Sequence, residues 1–337
     1  MKSPESSPAP QVCRDPVRLP ESPRVSVLMT TYNHAPYLAQ AIEGVLSQQT
    51  DFPFELIIGE DASTDETRKI AREYQAQFPD RIVVVTADGN VGTYANIRRI
   101  FAESRGRYIA FCEGDDFWCA ADKLARQVAC FERDPRVGGV HSDWARMHHR
   151  DGEWIVNWRR PVHRHVPRAL LEGDVFQTFY FPKILRTCTV MYRRDVLDEY
   201  YASPLGRTKY RFGDAAMAAF VSSRWRIGYV PDVTAVYRLS PRSALRSGRR
   251  ARLLHMQSSL QFDDDARAFF EPLGLCYPTG FRWEICVGMF LWAVVVSDAR
   301  AMGRAARAIT RHHGFRDFLR DGWKSLAMRI PALLRKP

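Results

Sequence analysis

The residues best equipped for chemistry sit together at the end of one short apolar run. Tyr108-Ile109-Ala110-Phe111-Cys112 leads straight into Glu113-Gly114-Asp115-Asp116, and Phe117-Trp118 follows. An apolar run of this length reads as a buried strand. Open α/β sheets bind ligands beyond the carboxyl ends of their strands, so these acids belong at the rim of a site. Crowded carboxylates repel one another unless a cation lies between them, and an all-oxygen set suits Mg²⁺ or Mn²⁺. Asp115, Glu113 and Asp116 are therefore the candidate metal ligands. A plainer reading stands beside this one, a strand followed by a helix that an Asp caps.

The segments before that run supply its neighbours. Val25 to Thr31 is β-branched and apolar, turns polar at Thr31-Tyr32-Asn33-His34, and meets Pro36 at the start of a helix to about Gln49. Glu55 to Gly59 repeats the pattern and ends in Glu60-Asp61-Ala62-Ser63-Thr64-Asp65-Glu66. Ser63 or Thr64 is the expected cap of a helix to about Phe78, with Asp65 and Glu66 in its first turn. A third strand, 81–86, precedes Asn90 and Gly92 and a helix over 93–104. Strands alternating with helices at this spacing predict right-handed crossovers and a mostly parallel sheet flanked by helices, an α/β, Rossmann-like fold. Four strand ends then lie along one edge, as in a nucleotide site. Neither the GxGxxG of dinucleotide folds nor the GxxxxGK[ST] of P-loops is present, so phosphate must be held otherwise, with the metal as the means.

In this order and spacing, Val25–Asn33, the Glu60–Asp65 segment, Asn90-x-Gly92-x-x-x-Asn96 and Glu113-Gly114-Asp115-Asp116 resemble the family 2 glycosyltransferases of the GT-A fold. The likeness is specific over about 24–135 and extends more faintly to about 240. It implies a nucleotide-sugar site built from Thr31, Tyr32, Asn33, Glu60, Asp61, Asn96, Glu113, Gly114, Asp115 and Arg238, a UDP-sugar being the leading donor. The D-x-D element of the family assists ribose binding and coordinates a metal on the diphosphate. Here Glu60 stands where the family has Asp. Glu113 takes the first D-x-D position, which leaves Asp115 as the favoured metal ligand.

After a helix over 120–131, Gly138 to Asp143 is expected to be a further strand and strand end. Residues 148–168 interleave arginines and histidines with Trp154 and Trp158 and lack clear periodicity. They read either as a mobile lid for a diphosphate or anionic acceptor, or as a solvated insertion. Thr187 to Tyr192 is expected to be a strand and 195–201 a helix. Asp214 follows Gly213 where a helix begins. On its own it reads as a cap; the resemblance makes it the catalytic base of an inverting transfer. Asp143 and Asp232 are the alternatives.

The chain has 337 residues, a net charge of +11 and seven cysteines without a CxxC pair. The charge favours an anionic partner, and the odd, unpaired cysteines favour a reducing, cytoplasmic setting over a disulfide framework. The expected organisation is a disordered tail over 1–23, a glycosyltransferase domain over 24–240 with a donor half (24–135) and an acceptor half (136–240), and a basic, largely helical C-terminal extension over 241–337. The longest apolar stretch, Ile285 to Ser297, falls short of the ~20 residues a membrane span requires. Residues 300–337 carry ten Lys/Arg against two Asp. Arg300, Arg304, Arg307 and Arg311 share a helical face, and a second amphipathic helix is expected from Phe315 to Ile330. Such a segment suits peripheral contact with an anionic membrane on its cytoplasmic face, or else packs its apolar side on the protein.

The function these features point to is an inverting, metal-dependent glycosyltransferase. It would use a nucleotide sugar and a glycan or lipid-linked hydroxyl acceptor in cell-surface polysaccharide or glycolipid synthesis. A nucleotidyltransferase is one rival, although Thr31–Ala35 lacks the glycine-rich basic loop that holds a triphosphate. A basic nucleic-acid-binding protein is the other; no helix-turn-helix, zinc-finger or RNP signature supports it.

Overall fold

A computed structural model of the chain describes residues 10–16, 18–179, 185–239, 248–278 and 281–312. By contact density the chain divides into two units, one of residues 1–207 and 212–240, the other of 208–211 and 241–337.

The first unit is built on one mixed sheet. Its strands are β1 (Gln11–Cys13), β2 (Val25–Thr31), β3 (Phe54–Glu60), β4 (Ile82–Thr86), β5 (Tyr108–Phe111), β6 (Phe117–Trp118), β7 (Val137–Arg150), β8 (Glu153–Val156), β9 (Met191–Arg193) and β10 (Arg226–Arg238). The sheet order is β1-β4-β3-β2-β5-β9-β7-β10-β6, with β8 hairpinned onto β7. Strands β4, β3, β2 and β5 run parallel, joined by α1 (Ala35–Leu46), α2 (Thr67–Gln77) and α3 (Thr93–Glu103). Helices on both faces explain why β2 and β3 are buried along almost their whole length, Ser26, Glu55 and Glu60 included, rather than alternating between buried and exposed. Val27, Met29, Leu56 and Ile58 meet Leu38 and Ile42 of α1 in a solvent-free core.

Register places the site. Thr31 lies opposite Glu60 and Leu28 opposite Phe111, so three strands end side by side. The chain then continues the ladder, with Cys112 N–H donating to Leu28 O at 3.1 Å and Gly114 N–H to Thr30 O at 3.0 Å. Across the sheet, β6 pairs antiparallel with β10, which brings Arg238 beside Asp115 and Asp116.

Several expectations give way. The tail forms an edge strand, because Gln11–Cys13 finds the open side of β4, and Leu19 is buried. Helix α2 begins at Thr67, without Ser63 or Thr64 as its cap. Asp143 lies inside the 14-residue β7 rather than at a strand end. The stretch 187–192 is a 3₁₀ turn leading into β9, which enters the sheet antiparallel between β5 and β7. Part of 148–168 is ordered as β8, a β-hairpin rather than a wholly irregular loop. Helix α4 (Lys123–Arg133) backs β7 and β10, and α5 (Arg194–Ala202), α6 (Pro204–Arg207) and α7 (Asp214–Ser222) complete the unit.

The second unit contains α8 (Arg249–Phe270), α9 (Phe281–Val295) and α10 (Ala299–His312) around Leu253, Leu260, Ile285, Cys286, Met289, Ala293, Ala301 and Ala305. Among the described residues, no helix is long and apolar enough to cross a membrane. The expected helix over 315–330, Arg242 and Arg246 lie outside the described residues.

Candidate active site

The turn after β2 is stitched to the turn after β3. Asn33 adopts a left-handed φ of 54°, tolerated by its short polar side chain. Its N–H donates to Ser63 Oγ at 3.0 Å, and its Oδ1 accepts Thr64 N–H at 2.8 Å. Asp65 accepts Thr67 N–H at 3.0 Å and Ala35 N–H at 3.2 Å, bonding the starts of α2 and α1 with one carboxylate. Thr31 is buried, and its Oγ1 has no hydrogen-bond partner. Of this group, Tyr32 alone is freely presented, with 43% of its surface exposed.

Glu60 and Asp61 are spent on the scaffold. Glu60 accepts Ser63 N–H at 2.6 Å on one oxygen, and Arg68 Nε at 2.6 Å and Thr86 Oγ1 at 2.8 Å on the other. Burial works to raise its pKa, yet the bonds from Ser63, Thr86 and Arg68 outweigh burial and hold the carboxyl below its ordinary value. Asp61 accepts Val91 N–H at 2.8 Å and Gly92 N–H at 2.9 Å. Gly92 has φ 81°, the left-handed region a glycine enters without strain, and it opens α3. Asn96 donates to Gly59 O at 2.7 Å and accepts Arg99 Nε at 2.9 Å, and Arg99 also holds Glu60 O at 2.7 Å. Glu60, Asp61 and Asn96 position the turns, because their polar atoms face protein donors and acceptors at the strand ends.

The turn after β5 is the reverse. Gly114 lies so close to Thr31 that a Cβ would come within 2.7 Å of its Oγ1, so a larger residue would push the two turns apart. Asp116 is buried and accepts Arg238 N–H at 2.8 Å. Burial, then Asp115 and Glu113, drive its pKa well above the ordinary carboxylate value. Glu113 keeps a sealed Oε2 with no donor, and burial together with Asp115 raises its pKa to about 7. Asp115 is partly exposed, with Oδ2 at 3.9 Å from His34 Nε2. Burial lowers the pKa of His34 against the pull of Asp115, and its Nδ1 is sealed without a partner.

Arg238 is the last of the expected donor-site residues. It is 3% exposed, donates to Asp115 O at 2.8 Å and Gln40 Oε1 at 2.5 Å, and lies over Tyr37 (4.5 Å), Trp154 (5.4 Å) and Phe117 (5.6 Å). Its charge is enclosed among rings and acids, so it clamps the acidic turn from behind.

Asp214 opens α7, with Oδ1 bonded to Ala215 N–H at 2.9 Å. It is near enough to Glu113 and Tyr192 to raise the pKa of both, which sets it on the acidic turn's side of the sheet. A Cβ built on Gly213 meets no atom within 4 Å, so the approach to Asp214 is open. The alternatives are otherwise engaged. Asp143 accepts Trp144 N–H at 2.7 Å and His163 N–H at 2.9 Å, and Asp232 pairs with Arg126.

The oxygen donors fit a hard divalent cation. Asp115 and the undonated Oε2 of Glu113 are carboxylate oxygens short of partners beside a third buried acid. Among the described residues no three His, Cys, Asp or Glu side chains form a ready-made cage. The protein would thus supply one or two oxygens and leave the rest to a ligand's phosphates and water, the habit of Mg²⁺ in phosphate sites. Asp116, also expected among the metal ligands, turns its carboxylate inward to the Arg238 backbone. An open groove of about 670 Å³ runs along α2 from Ala62 and Ser63 to Arg72 and Asp88. It borders the β3 turn and excludes Asp115 and Asp214, so it lies beside the acids.

Sequence reasoning passed over His34, Arg68 and Arg99. His34 could have been found from its place next to Asn33 at a strand end; the arginines gave no local signal.

The fold is of the GT-A type, and the Glycosyl transferase family 2 profile matches residues 26–201. The chain belongs to that family. It is 35% identical over 162 residues to an uncharacterized protein of Mycobacterium tuberculosis, a match spanning 46% of this chain and 45% of the relative. It is 37% identical over 106 residues, 32% of this chain and 41% of the relative, to the putative teichuronic acid biosynthesis glycosyltransferase TuaG of Bacillus subtilis. The chain thus spans less than half the length of these curated relatives. In fold it resembles the mannosyltransferase PcManGT of Pyrobaculum calidifontis, solved with GDP-Man and Mn²⁺. The TM-score is 0.53 at 20% identity, over 99% of this chain and 85% of the other.

Proposed function

We propose that the protein transfers a sugar, with inversion, from a nucleotide-sugar donor to a hydroxyl acceptor in building a cell-surface glycan. The observation that carries this reading is the contrast at the strand ends, where Glu113, with one undonated oxygen, and the buried Asp116 flank one accessible carboxylate, Asp115, within electrostatic reach of Asp214 at a helix start. The family membership supports it, as do the likeness to a putative teichuronic acid biosynthesis glycosyltransferase and the GDP-Man and Mn²⁺ held by a protein of the same fold.

When bound, Mg²⁺ or Mn²⁺ would neutralise the diphosphate of the leaving nucleotide, with Asp115 and Glu113 as its protein ligands. Tyr32 is placed to lie against the donor. Glu60, Asp61, Asn96 and Arg238 hold the turns that present it. Asp214 takes the proton from the acceptor hydroxyl as that oxygen attacks the anomeric carbon, and the donor's bond to diphosphate breaks on the opposite side. General-base assistance of this kind is worth about 10²–10⁴ in rate. The acceptor, on this reading, is a glycan or a lipid-linked sugar.

The test is thermal denaturation against UDP, dTDP, GDP and CMP, each with and without Mn²⁺. A ligand at about 100 times its Kd adds about 2.7 kcal/mol, well within detection. One nucleoside diphosphate should stabilise the protein in a Mn²⁺-dependent way, UDP being the leading expectation. Stabilisation by none of them, or release of pyrophosphate from a triphosphate, would remove the reading.

A further inference from the structure

Among its described residues, the second unit encloses an apolar core and leaves a patch on α9 in water. On α9, Ile285, Cys286, Met289 and Ala293 are enclosed with Leu253 of α8 and with Ala301 and Ala305 of α10. The last turns of α9 nonetheless leave Phe290 38%, Val294 49% and Val295 37% exposed. Apolar side chains this exposed at neighbouring helix positions mark a contact surface more often than chance.

The surroundings of that patch are basic. Helix α10 follows a short turn after α9, contains no acid, and exposes Arg300, Arg304 and Arg307 on the side away from buried Ala301 and Ala305. The first turn of α8 adds Arg250, which reaches Asp298 at 2.9 Å, and Arg252, whose guanidinium lies 4.9 Å from the Trp292 ring centre. Acids on the other end of α8 are occupied there: Asp263 holds Arg267 and Arg282, and Asp264 holds Arg282. Positive charge and exposed apolar surface are thus concentrated together, with Asp298 of the α9–α10 turn paired to Arg250, and with Glu284 on the first turn of α9.

We infer that this patch docks the C-terminal unit onto an anionic lipid surface. Phe290, Val294 and Val295 enter the boundary between headgroups and acyl chains, and Arg300, Arg304 and Arg307 meet lipid phosphates. A nucleic acid would satisfy the arginines but offers no apolar phase for three such side chains; an anionic bilayer satisfies both. The inference deepens the proposed reading, in which the acceptor is lipid-linked, yet its test needs neither donor nor acceptor.

The experiment is flotation of the full chain with phosphatidylcholine vesicles, with and without phosphatidylglycerol. The parent should float only with the anionic vesicles. Arg300→Gln/Arg304→Gln/Arg307→Gln should weaken that binding by about 100-fold, since each basic side chain near such a surface contributes roughly a fivefold factor. The triple Arg→Lys variant should restore it, and Phe290→Ser/Val294→Ser should also weaken it. All these positions are exposed, so circular dichroism melts should match the parent, and turnover of a soluble acceptor should be unchanged. Failure of the parent to float, or unchanged binding in both the Gln and Ser variants, would overturn the inference. Lost vesicle binding with Mn²⁺-dependent nucleotide binding retained separates this surface from the donor site.

Discussion

Two adjacent turns carry the same kind of residue to opposite ends. At the end of β3, Glu60 and Asp61 accept hydrogen bonds from Ser63, Arg68, Thr86, Val91 and Gly92, and the Glu60 carboxyl is held below its ordinary pKa. At the end of β5, Glu113 and Asp116 are driven above theirs by burial and then by Asp115. An acid surrounded by donors has been paid for by the fold and builds structure; one short of donors is stabilised only when something cationic arrives. The lesson is that an acidic motif does not say which of its members is available. Donor count does.

If that contrast is right, the largest effect belongs to the unsatisfied turn. Asp115→Asn should abolish Mn²⁺-dependent nucleotide binding in calorimetry and leave the melting temperature near the parent's, because the carboxylate lies at the rim of the sheet. Unchanged affinity would take the metal role away from this residue.

Next comes the acid across from it. Asp214→Asn keeps the size and the capping bond, so the transfer rate should fall about 10²-fold or more while donor affinity stays close to the parent's. Steady-state kinetics with separate determination of kcat and KM checks this. Retained turnover would pass the role to another acid, although Asp143 and Asp232 are already held by His163, Trp144 and Arg126.

The satisfied turn should respond in stability instead. Glu60→Gln removes the charge beneath Arg68 and should cost about 1–3 kcal/mol in urea unfolding at neutral pH. The folded pKa of Glu60 is depressed, so its contribution is full above the unfolded value of about 4.3 and disappears as pH falls through the folded value. The gap between parent and variant should therefore close in acid. A gap that stays constant would show that packing, rather than charge, is responsible.

The smallest effect tests the buried cation behind the site. Lys123 donates to Gln127 Oε1 at 2.6 Å, lies over the Trp118 ring, and has its pKa lowered to about 7 by burial. Between that value and the unfolded value of about 10.4 the unfolded chain binds more protons, so stability from this group rises with pH. The parent should gain about 1 kcal/mol or more relative to Lys123→Met between pH 7 and 10. An equal pH response in both would mean that Lys123 stays charged where it is.

The sequence by itself determined the parallel βαβ run from Val25 to Phe111 and the convergence of its strand ends. A parallel strand buried on both faces reads as a largely apolar run, and its helix follows within a few residues, so local pattern carries the information. It also determined the family, since four motifs kept their order. Tertiary structure alone decided the rest. Strand β9 inserts antiparallel, β7 runs on past Asp143, and Gln11–Cys13 finds an edge, because strand pairing is a long-range choice that three to fourteen residues do not encode. The same reason governs the site. Arg238 reaches Asp116 across 122 positions of chain and Thr86 reaches Glu60 across 26, and those distant donors separate an acid that builds the turn from one left for a ligand.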